Sequence, residues 1–499
     1  MSAATLPPFV ARSYDFVEYV PARNWIGGQW KDAASGKTIP VTNPRHAKVM
    51  SHVVMSGPED VKAAVESGKE AFKKWRKVPV KERSQVMFRL KQLMERDLEE
   101  LSWLVSHENG KVIDEARASV LKGIECVEYG ASIPNLGAGE QLAVSRGVTC
   151  TQTHEPLGVV AGVTPFNFPI MVPLWMMPQA LVGGNAFILK PSEQVPLGAQ
   201  KLAMLLQEAG LPDGVFNVIN GGVDAVNGIV DHEDIKAFAF VGSTAVAKLL
   251  YARGAVTGRP QLCLGGAKNH LIVVPDADPR VTSDNVVASF TGCAGQRCMA
   301  AAVLVAVGNV DHIIERVRER AGKMVVGKDI GPIINAKAAE RIRGFIDEAE
   351  KQGAKVIVDG RGQKGDGAGA WIGPTVVDGV RPEMRIAQEE VFGPVLSIMH
   401  VKNVDEAIAV ENANPYGNAA CVYTTSGAVA EYVTDRVEAG MVGVNVGVPV
   451  PREPFGFGGW NHSKFGQGNL TGLDGYRFWT RPRKITSKWD VSPDNNWMS

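Results

Sequence analysis

From residue 158 onward, short apolar runs alternate with stretches of helical length, and this alternation leaves few folds open to the chain. The runs Gly158–Val163, Asn185–Lys190, Val215–Ile219, Lys236–Val241 and Gln261–Leu264 are apolar throughout most of their length and too short for helices. Segments such as 196–209 and 244–252 between them have the length of crossover helices. A parallel, doubly wound sheet is the arrangement that buries such strands on both faces. A second series follows, with runs at His270–Val274, Ala301–Val307, Lys355–Val358, Leu396–Val401, Ala420–Tyr423 and Met441–Val446. Helices at 311–322, 336–352, 403–412 and 427–437 fit between these runs, which predicts a second α/β domain. The Leu264-Gly265-Gly266 turn is the natural boundary. Upstream, Pro58 opens an amphipathic helix over 58–75, and a second helix over 80–107 stops at Asn109-Gly110.

A chain of 499 residues exceeds one compact core, in keeping with that division. Lys+Arg and Asp+Glu are both 53, so neither a basic nucleic-acid surface nor an acidic tail is indicated. Small molecules and further copies of the chain are the expected partners. The stretch from Pro156 to Leu189 has no charged residue and is long enough to span a bilayer. Pro165, Pro169, Pro173 and Pro178 interrupt it, however, and a buried strand, loop and helix fit it better than a membrane span. No secretory segment opens the chain, and the cytoplasm is the expected location. Arg12, with no acid before Asp15, is the single mark of a mitochondrial transit peptide. The six cysteines show no regular short spacing and no CxxC pair, which argues for reduced thiols and against a zinc site.

Three local patterns carry chemistry. The strand ending at Lys190 continues as Pro191-Ser192-Glu193, and Phe240-Val241-Gly242-Ser243-Thr244 is another strand end that opens a helix. Ligands of open α/β sheets bind outside the carboxyl ends of the strands, and a helix start offers free N–H groups to a phosphate. The second pattern alone is as common in ordinary strand–turn–helix units; with Lys190 and Glu193 on the same edge it favours a nucleotide site. Gly295-Gln296-Arg297-Cys298 sets a thiol beside a cation, which is expected to lower its pKa and favour the nucleophilic thiolate. Most cysteines are inert buried side chains, and that reading suits the others. Finally, the Pro-bounded loop Pro165-Phe166-Asn167-Phe168-Pro169 holds an amide that acts only if a nucleophile lies nearby.

Together with Glu389-Glu390-Val391-Phe392-Gly393-Pro394, Asn414-Pro415-Tyr416-Gly417 and Val444-Asn445, these motifs resemble the aldehyde dehydrogenase superfamily, from about Trp25 to Trp489. The segments Gly266–His270, Val446–Pro451 and Lys484–Trp489 resemble its CoA-acylating branch, the methylmalonate-semialdehyde dehydrogenases. The resemblance implies two doubly wound α/β domains plus a small β oligomerisation lobe. It places an NAD-binding domain at 1–132 and 156–265, a catalytic domain at 266–474 and the lobe at 133–155 and 475–499, in a homodimer or homotetramer. It implies Cys298 as nucleophile, with the Asn167 amide and the Cys298 N–H as oxyanion hole. NAD would be held by Thr164, Phe166, Lys190, Glu193, Gln194, Ser243, Gly265, Glu390 and Phe392. Glu193 would accept a ribose hydroxyl and repel a 2′-phosphate, favouring NAD over NADP. Arg297 and Lys122 would grip a substrate carboxylate, Lys122 standing where the branch generally has arginine and so lacking its bidentate fork.

Hydrolytic members of the superfamily usually carry a glutamate two residues before the Gly-Gly pair, as base for the attacking water. Cys263 stands there in this chain. A neutral thiol is a poor base, so the thioester is expected to persist until another acceptor arrives, and coenzyme A is the natural one. The expected reaction is NAD-dependent oxidation of methylmalonate or malonate semialdehyde to propionyl-CoA or acetyl-CoA with loss of CO₂. The alternatives are a hydrolysing aldehyde dehydrogenase that releases a free acid and, on the same fold, a non-catalytic NAD-binding protein.

Overall fold

A computed structural model describes residues 11–137 and 139–489 of the chain. Residues 1–10, on which most of the transit-peptide reading falls, and 490–499, the end of the expected oligomerisation lobe, lie outside the described residues.

The first alternating series forms an eight-stranded sheet. Its order is Gln29–Lys31, Asn24–Ile26, Phe216–Val218, Ala186–Lys190, Val159–Val163, Ile235–Val241, Gln261–Leu264 and Lys464–Gly466. The runs read from sequence make its parallel centre, and antiparallel strands close both edges. Val159–Val163 and Ala186–Lys190 are buried along their whole length, which is why they read as unbroken apolar runs. The charge-free stretch supplies these two strands and the wholly buried helix Met171–Val182 between them. No helix among the described residues is long and apolar enough to cross a membrane.

The second series forms a seven-stranded sheet in the order Lys355–Val358, Thr375–Asp378, Val395–Val401, Ala301–Val307, Asn269–Val273, Ala419–Tyr423 and Met441–Val444. A third, three-stranded sheet pairs Gly139–Ser145 with Val148–Pro156 and Val148–Pro156 with Thr480–Lys488. Gly139–Ser145 is exposed throughout and is an edge strand of that sheet.

The helix expected over 80–107 is two helices, Val80–Arg96 and Leu98–Asn109, broken at Asp97. Gly110 ends the second in the left-handed conformation at φ 89°. Among the elements that escaped the sequence reading are the helix Ile113–Leu136, the strand Thr375–Asp378, the paired strands Thr38–Asn43 and Lys48–Val54, and the edge strands Asn24–Ile26, Gln29–Lys31 and Lys464–Gly466.

Candidate active site

Register alone brings the nucleotide-type residues together. Val163 pairs with Lys190 and with Phe240, while Val241 pairs with Leu264, so the carboxyl ends of these parallel strands finish side by side. They open into a cleft of about 1120 Å³. Thr164, Phe166, Asn167, Lys190, Glu193, Gln194, Ser243, Gly265, Cys298, Glu390 and Phe392 all line it, as do Phe168, Val172 and Trp175. Arg297, Lys122 and Cys263 are not among its lining residues.

Lys190 reaches across to Glu193, Nζ to Oε2, at 3.0 Å. Burial depresses the Lys190 ammonium and the Glu193 charge opposes this. Ser243 is the residue before the helix Thr244–Ala255, with extended backbone that leaves the first N–H groups of the helix free for an anion. The Gly265-Gly266 pair has a steric reason. A Cβ at Gly265 would fall 2.7 Å from Thr244 Oγ1, and one at Gly266 would fall 2.5 Å from Glu390 Oε2. Glu390 therefore packs directly against this backbone, and its Oε1 accepts the Ala267 N–H at 3.0 Å. Burial pushes the Glu390 carboxyl up to about 7, against the Ala267 N–H, Lys268 and Arg341. Phe392, at φ 56°, presents its ring edge-on to Phe166, with centroids 5.9 Å apart. The two walls of the cleft meet through this pair.

Cys298 sits at the amino ends of the second sheet. Adjacent strand starts supply Asn269 and Asn418, whose Nδ2 groups donate to the Cys298 carbonyl at 2.8 and 2.9 Å. The approach runs through Cys293 and Ala294, both at φ 53°, and Gly295 at φ 68°. A Cβ at Gly295 would lie 2.0 Å from the Gly393 carbonyl oxygen, so only glycine lets this loop touch the 390–394 segment. The loop is strained and its shape is fixed on both sides.

The expected low pKa of the thiol is corrected by the structure. Burial pushes Cys298 up to about 12, and the charge of Glu390 adds to this. Its own N–H, that of Met299, and Arg297 pull it down, but less. Arg297 turns away because its Nε bonds Cys293 Sγ at 3.1 Å and its Nη2 pairs with Glu115 Oε1 at 3.4 Å. The Arg297 charge still lowers the thiol's pKa, but by less than burial raises it.

Asn167 is buried, and its Nδ2 donates to the Gln296 carbonyl at 2.9 Å. An amide nitrogen has two N–H groups, so this bond orients the side chain and leaves the other N–H to the cleft. Residues 107–111, read from sequence only as a helix stop, brace both walls. Glu108 accepts the Leu197 and Gly198 N–H groups at 2.8 and 3.0 Å, capping the helix Leu197–Glu208 just after Gln194. Asn109 Nδ2 donates to the Phe166 carbonyl at 2.9 Å, and Lys111 Nζ bonds the Asn167 carbonyl and packs 4.4 Å from the Phe168 ring centroid. The signal that could have exposed them was Glu108-Asn109-Gly110-Lys111 itself, a polar cluster that ends the helix and that the structure buries.

The carboxylate grip expected of Lys122 and Arg297 is not open. Lys122 Nζ pairs with Glu453 Oε2 at 2.8 Å and Glu125 Oε2 at 3.1 Å, with the Glu453 side chain only 9% exposed. Glu453 lies 331 residues away in sequence, and Glu115 is 182 residues from Arg297. Both cations already have carboxylate partners. Cys263 is fully buried, in register with Phe240 and Phe465, and packs on the sheet face opposite its neighbours Leu262 and Leu264.

The parallel-sheet cleft, lined by Cys298 and by the Asn167 loop at the strand ends, has the layout of an oxidoreductase of one family. The chain belongs to the aldehyde dehydrogenase family, whose model matches residues 30–485. It is similar to malonate-semialdehyde dehydrogenase 1 of Geobacillus thermodenitrificans, 44% identical over 476 residues that cover 94% of this chain and 98% of the relative. Malonate-semialdehyde dehydrogenase of Halalkalibacterium halodurans is 44% identical over 475 residues, covering 94% and 98%. The crystal structure of methylmalonate-semialdehyde dehydrogenase from Oceanimonas doudoroffii superposes with a TM-score of 0.93 at 40% identity, covering 95% of this chain and 99% of that one. A structure from Sinorhizobium meliloti, assigned to methylmalonate-semialdehyde dehydrogenase and solved with NAD, gives 0.93 at 39%, covering 96% and 100%.

Proposed function

We propose that this chain oxidises a short semialdehyde with NAD through a thioester on Cys298 and passes the acyl group to coenzyme A. The observation that carries this reading is one cleft lined both by Cys298 and Asn167 and by the nucleotide-type strand ends, with Cys263 buried outside it. A cleft of about 1120 Å³, with a free helix start and a half-buried Glu390, suits a dinucleotide. Lys190 and Glu193 would hold its adenosine ribose, Ser243 a phosphate, and Glu390 and Phe392 the nicotinamide ribose and ring. Thr164, Phe166, Gln194 and Gly265 would complete the contacts. NAD, when bound, accepts the hydride. The protein's part is to bring the Cys298 sulfur onto the aldehyde carbon while the Asn167 amide and the Cys298 N–H bond the developing oxyanion.

The malonate-semialdehyde dehydrogenases among the relatives support malonate or methylmalonate semialdehyde as substrate, with CO₂ lost after oxidation. A second reading, an uncharged short aldehyde, is favoured by one observation: Lys122 is already paired with Glu453. Comparing kcat/KM for malonate semialdehyde and propanal, with NADH and acyl-CoA both measured, decides between them. Preference for the charged aldehyde supports the first reading, and preference for propanal the second. A free acid formed equally fast without CoA refutes the acyl transfer in both. We also read the chain as cytoplasmic and as a homodimer or homotetramer; the exposed edge strand Gly139–Ser145, with Leu142 and Val144 on its surface, supports the self-association.

Glu193→Gln is expected to weaken NAD binding several-fold, because the charged acceptor for a ribose hydroxyl becomes neutral and Lys190 loses its partner. Titration of NAD by fluorescence reads this directly. An unchanged affinity would move the adenosine site elsewhere.

A further inference from the structure

Transfer of an acyl group from Cys298 to coenzyme A requires a proton to leave one sulfur and another to reach the second. The position that usually carries a base holds Cys263, which is fully buried, outside the cleft, and pushed up to about 12 by burial. It cannot serve.

Glu390 is placed to do so. It lines the same cleft as Cys298, and its charge bears on the Cys298 thiol. Oε1 is fixed by the Ala267 N–H, while Oε2 has no protein hydrogen bond among the described residues and is not sealed from the cleft. The groups around it come from every neighbouring segment. Lys268 follows the Gly-Gly turn, Arg341 projects from the helix Ala336–Lys351, Tyr416 comes from the short strand Tyr416–Gly417, and Glu389 is adjacent in the chain. Arg341 is tied to backbone carbonyls, donating to those of Glu390 and Val391 at 3.1 and 2.6 Å, so it fixes the segment and leaves the carboxylate free.

We propose that Glu390 relays the proton of acyl transfer, taking it from the coenzyme A thiol and returning it to the sulfur of Cys298. As the S–H bond of coenzyme A breaks, its sulfur bonds to the thioester carbon. The bond from that carbon to Cys298 Sγ then breaks, and Sγ receives the proton held by Glu390. No electrons are exchanged with a third partner. This rests on the CoA-acylating reading above and adds a second task to the ribose contact given to Glu390, which ends when NADH leaves. A carboxyl held near 7 by burial, with Lys268 and Arg341 opposing, can both accept and return a proton at neutral pH.

The test avoids NAD altogether. Cys298 is acylated with p-nitrophenyl propionate, the released nitrophenolate counts the acyl-enzyme, and formation of propionyl-CoA is followed from pH 5.5 to 9. In wild type the transfer rate is expected to rise through about pH 7, where Glu390 ionises. Glu390→Gln should lose that limb, transfer more slowly by a factor of roughly 10²–10⁴, and follow only the ionisation of the thiol near about 8.5. Equal rates and equal profiles in the two proteins would overturn the relay. Should Glu390→Gln not acylate, a series of small thiols of differing pKa decides. Lys268 beside it is pushed down to about 7 by burial, so the series is run in wild type and in Lys268→Met. A limb that stays near pH 7 for every thiol in both supports Glu390, and one that moves with each thiol's pKa or vanishes with Lys268 overturns it. Discharge of the wild-type acyl-enzyme at the same rate with and without CoA would instead sink the CoA-acylating reading, a distinct outcome.

Discussion

Replacing Cys298 with alanine is expected to abolish NADH formation from every aldehyde while leaving NAD binding nearly intact. Without the sulfur no adduct forms on the aldehyde carbon, and an unattacked carbonyl has no hydride to give. Loss of a covalent nucleophile costs on the order of 10⁶ in kcat where it has been dissected in hydrolases. Affinity should survive because the Cys298 side chain is not one of the proposed cofactor contacts, and the loop is held by its backbone. Asn269 and Asn418 both bond the Cys298 carbonyl, which alanine retains. NADH fluorescence with an aldehyde panel, alongside an NAD titration, checks both halves. Residual turnover above a few per cent in the alanine protein would remove Cys298 from the mechanism. The raised thiol pKa adds a second expectation for the free enzyme. Alkylation of Cys298 by iodoacetamide should be slow at neutral pH and accelerate with rising pH as the thiolate forms.

What the sequence disclosed and what it withheld divide along physical lines. The buried parallel strands were legible because a strand covered on both faces must be apolar at every position. The helix Ile113–Leu136 was not legible, and Gly123 and Gly130 explain why. A Cβ at Gly123 would lie 2.8 Å from Leu174 Cδ1, and one at Gly130 would lie 2.7 Å from Pro178 Cβ. Close packing on the helix Met171–Val182 demands residues that weaken the helix signal. The strand Thr375–Asp378 is four residues long and follows a glycine-rich loop, with too little pattern to separate it from coil.

The same division holds in the site. Residues that line the cleft do so by sitting at strand ends, a local property, and local motifs revealed them. Charge compensation is not local. Glu453 reaches Lys122 from the segment after the last strand of the second sheet, and Glu115 reaches Arg297 from the helix that sequence reading missed. Glu125, three residues on from Lys122, is the one local partner; no pattern around Lys122 or Arg297 announces Glu453 or Glu115, so both cations read as free. The thiol pKa fails for the same reason, since burial of Cys298 depends on packing that its sequence neighbours do not encode.

Asn167→Ala carries the second large expected effect, on acylation. The side chain holds one N–H on the Gln296 carbonyl and keeps the other for the oxyanion that forms when Cys298 attacks. Removing one preorganised donor of this kind costs roughly 2.7–4 kcal/mol, or about 10²–10³ in rate. The same substitution leaves the Gln296 carbonyl without that bond, a separate loss of about 1–3 kcal/mol that appears in thermal unfolding. The two effects are read by different measurements. The burst of NADH on mixing with aldehyde and saturating NAD reports acylation, and the melting temperature reports the lost structural bond. The loop itself should persist, because Asn109 and Lys111 hold it through the Phe166 and Asn167 carbonyls, which alanine does not alter. NAD affinity should therefore change little. A lowered melting temperature with an unchanged burst rate would show that Asn167 only shapes its loop, and stabilisation of the oxyanion would then fall to the Cys298 N–H and another donor.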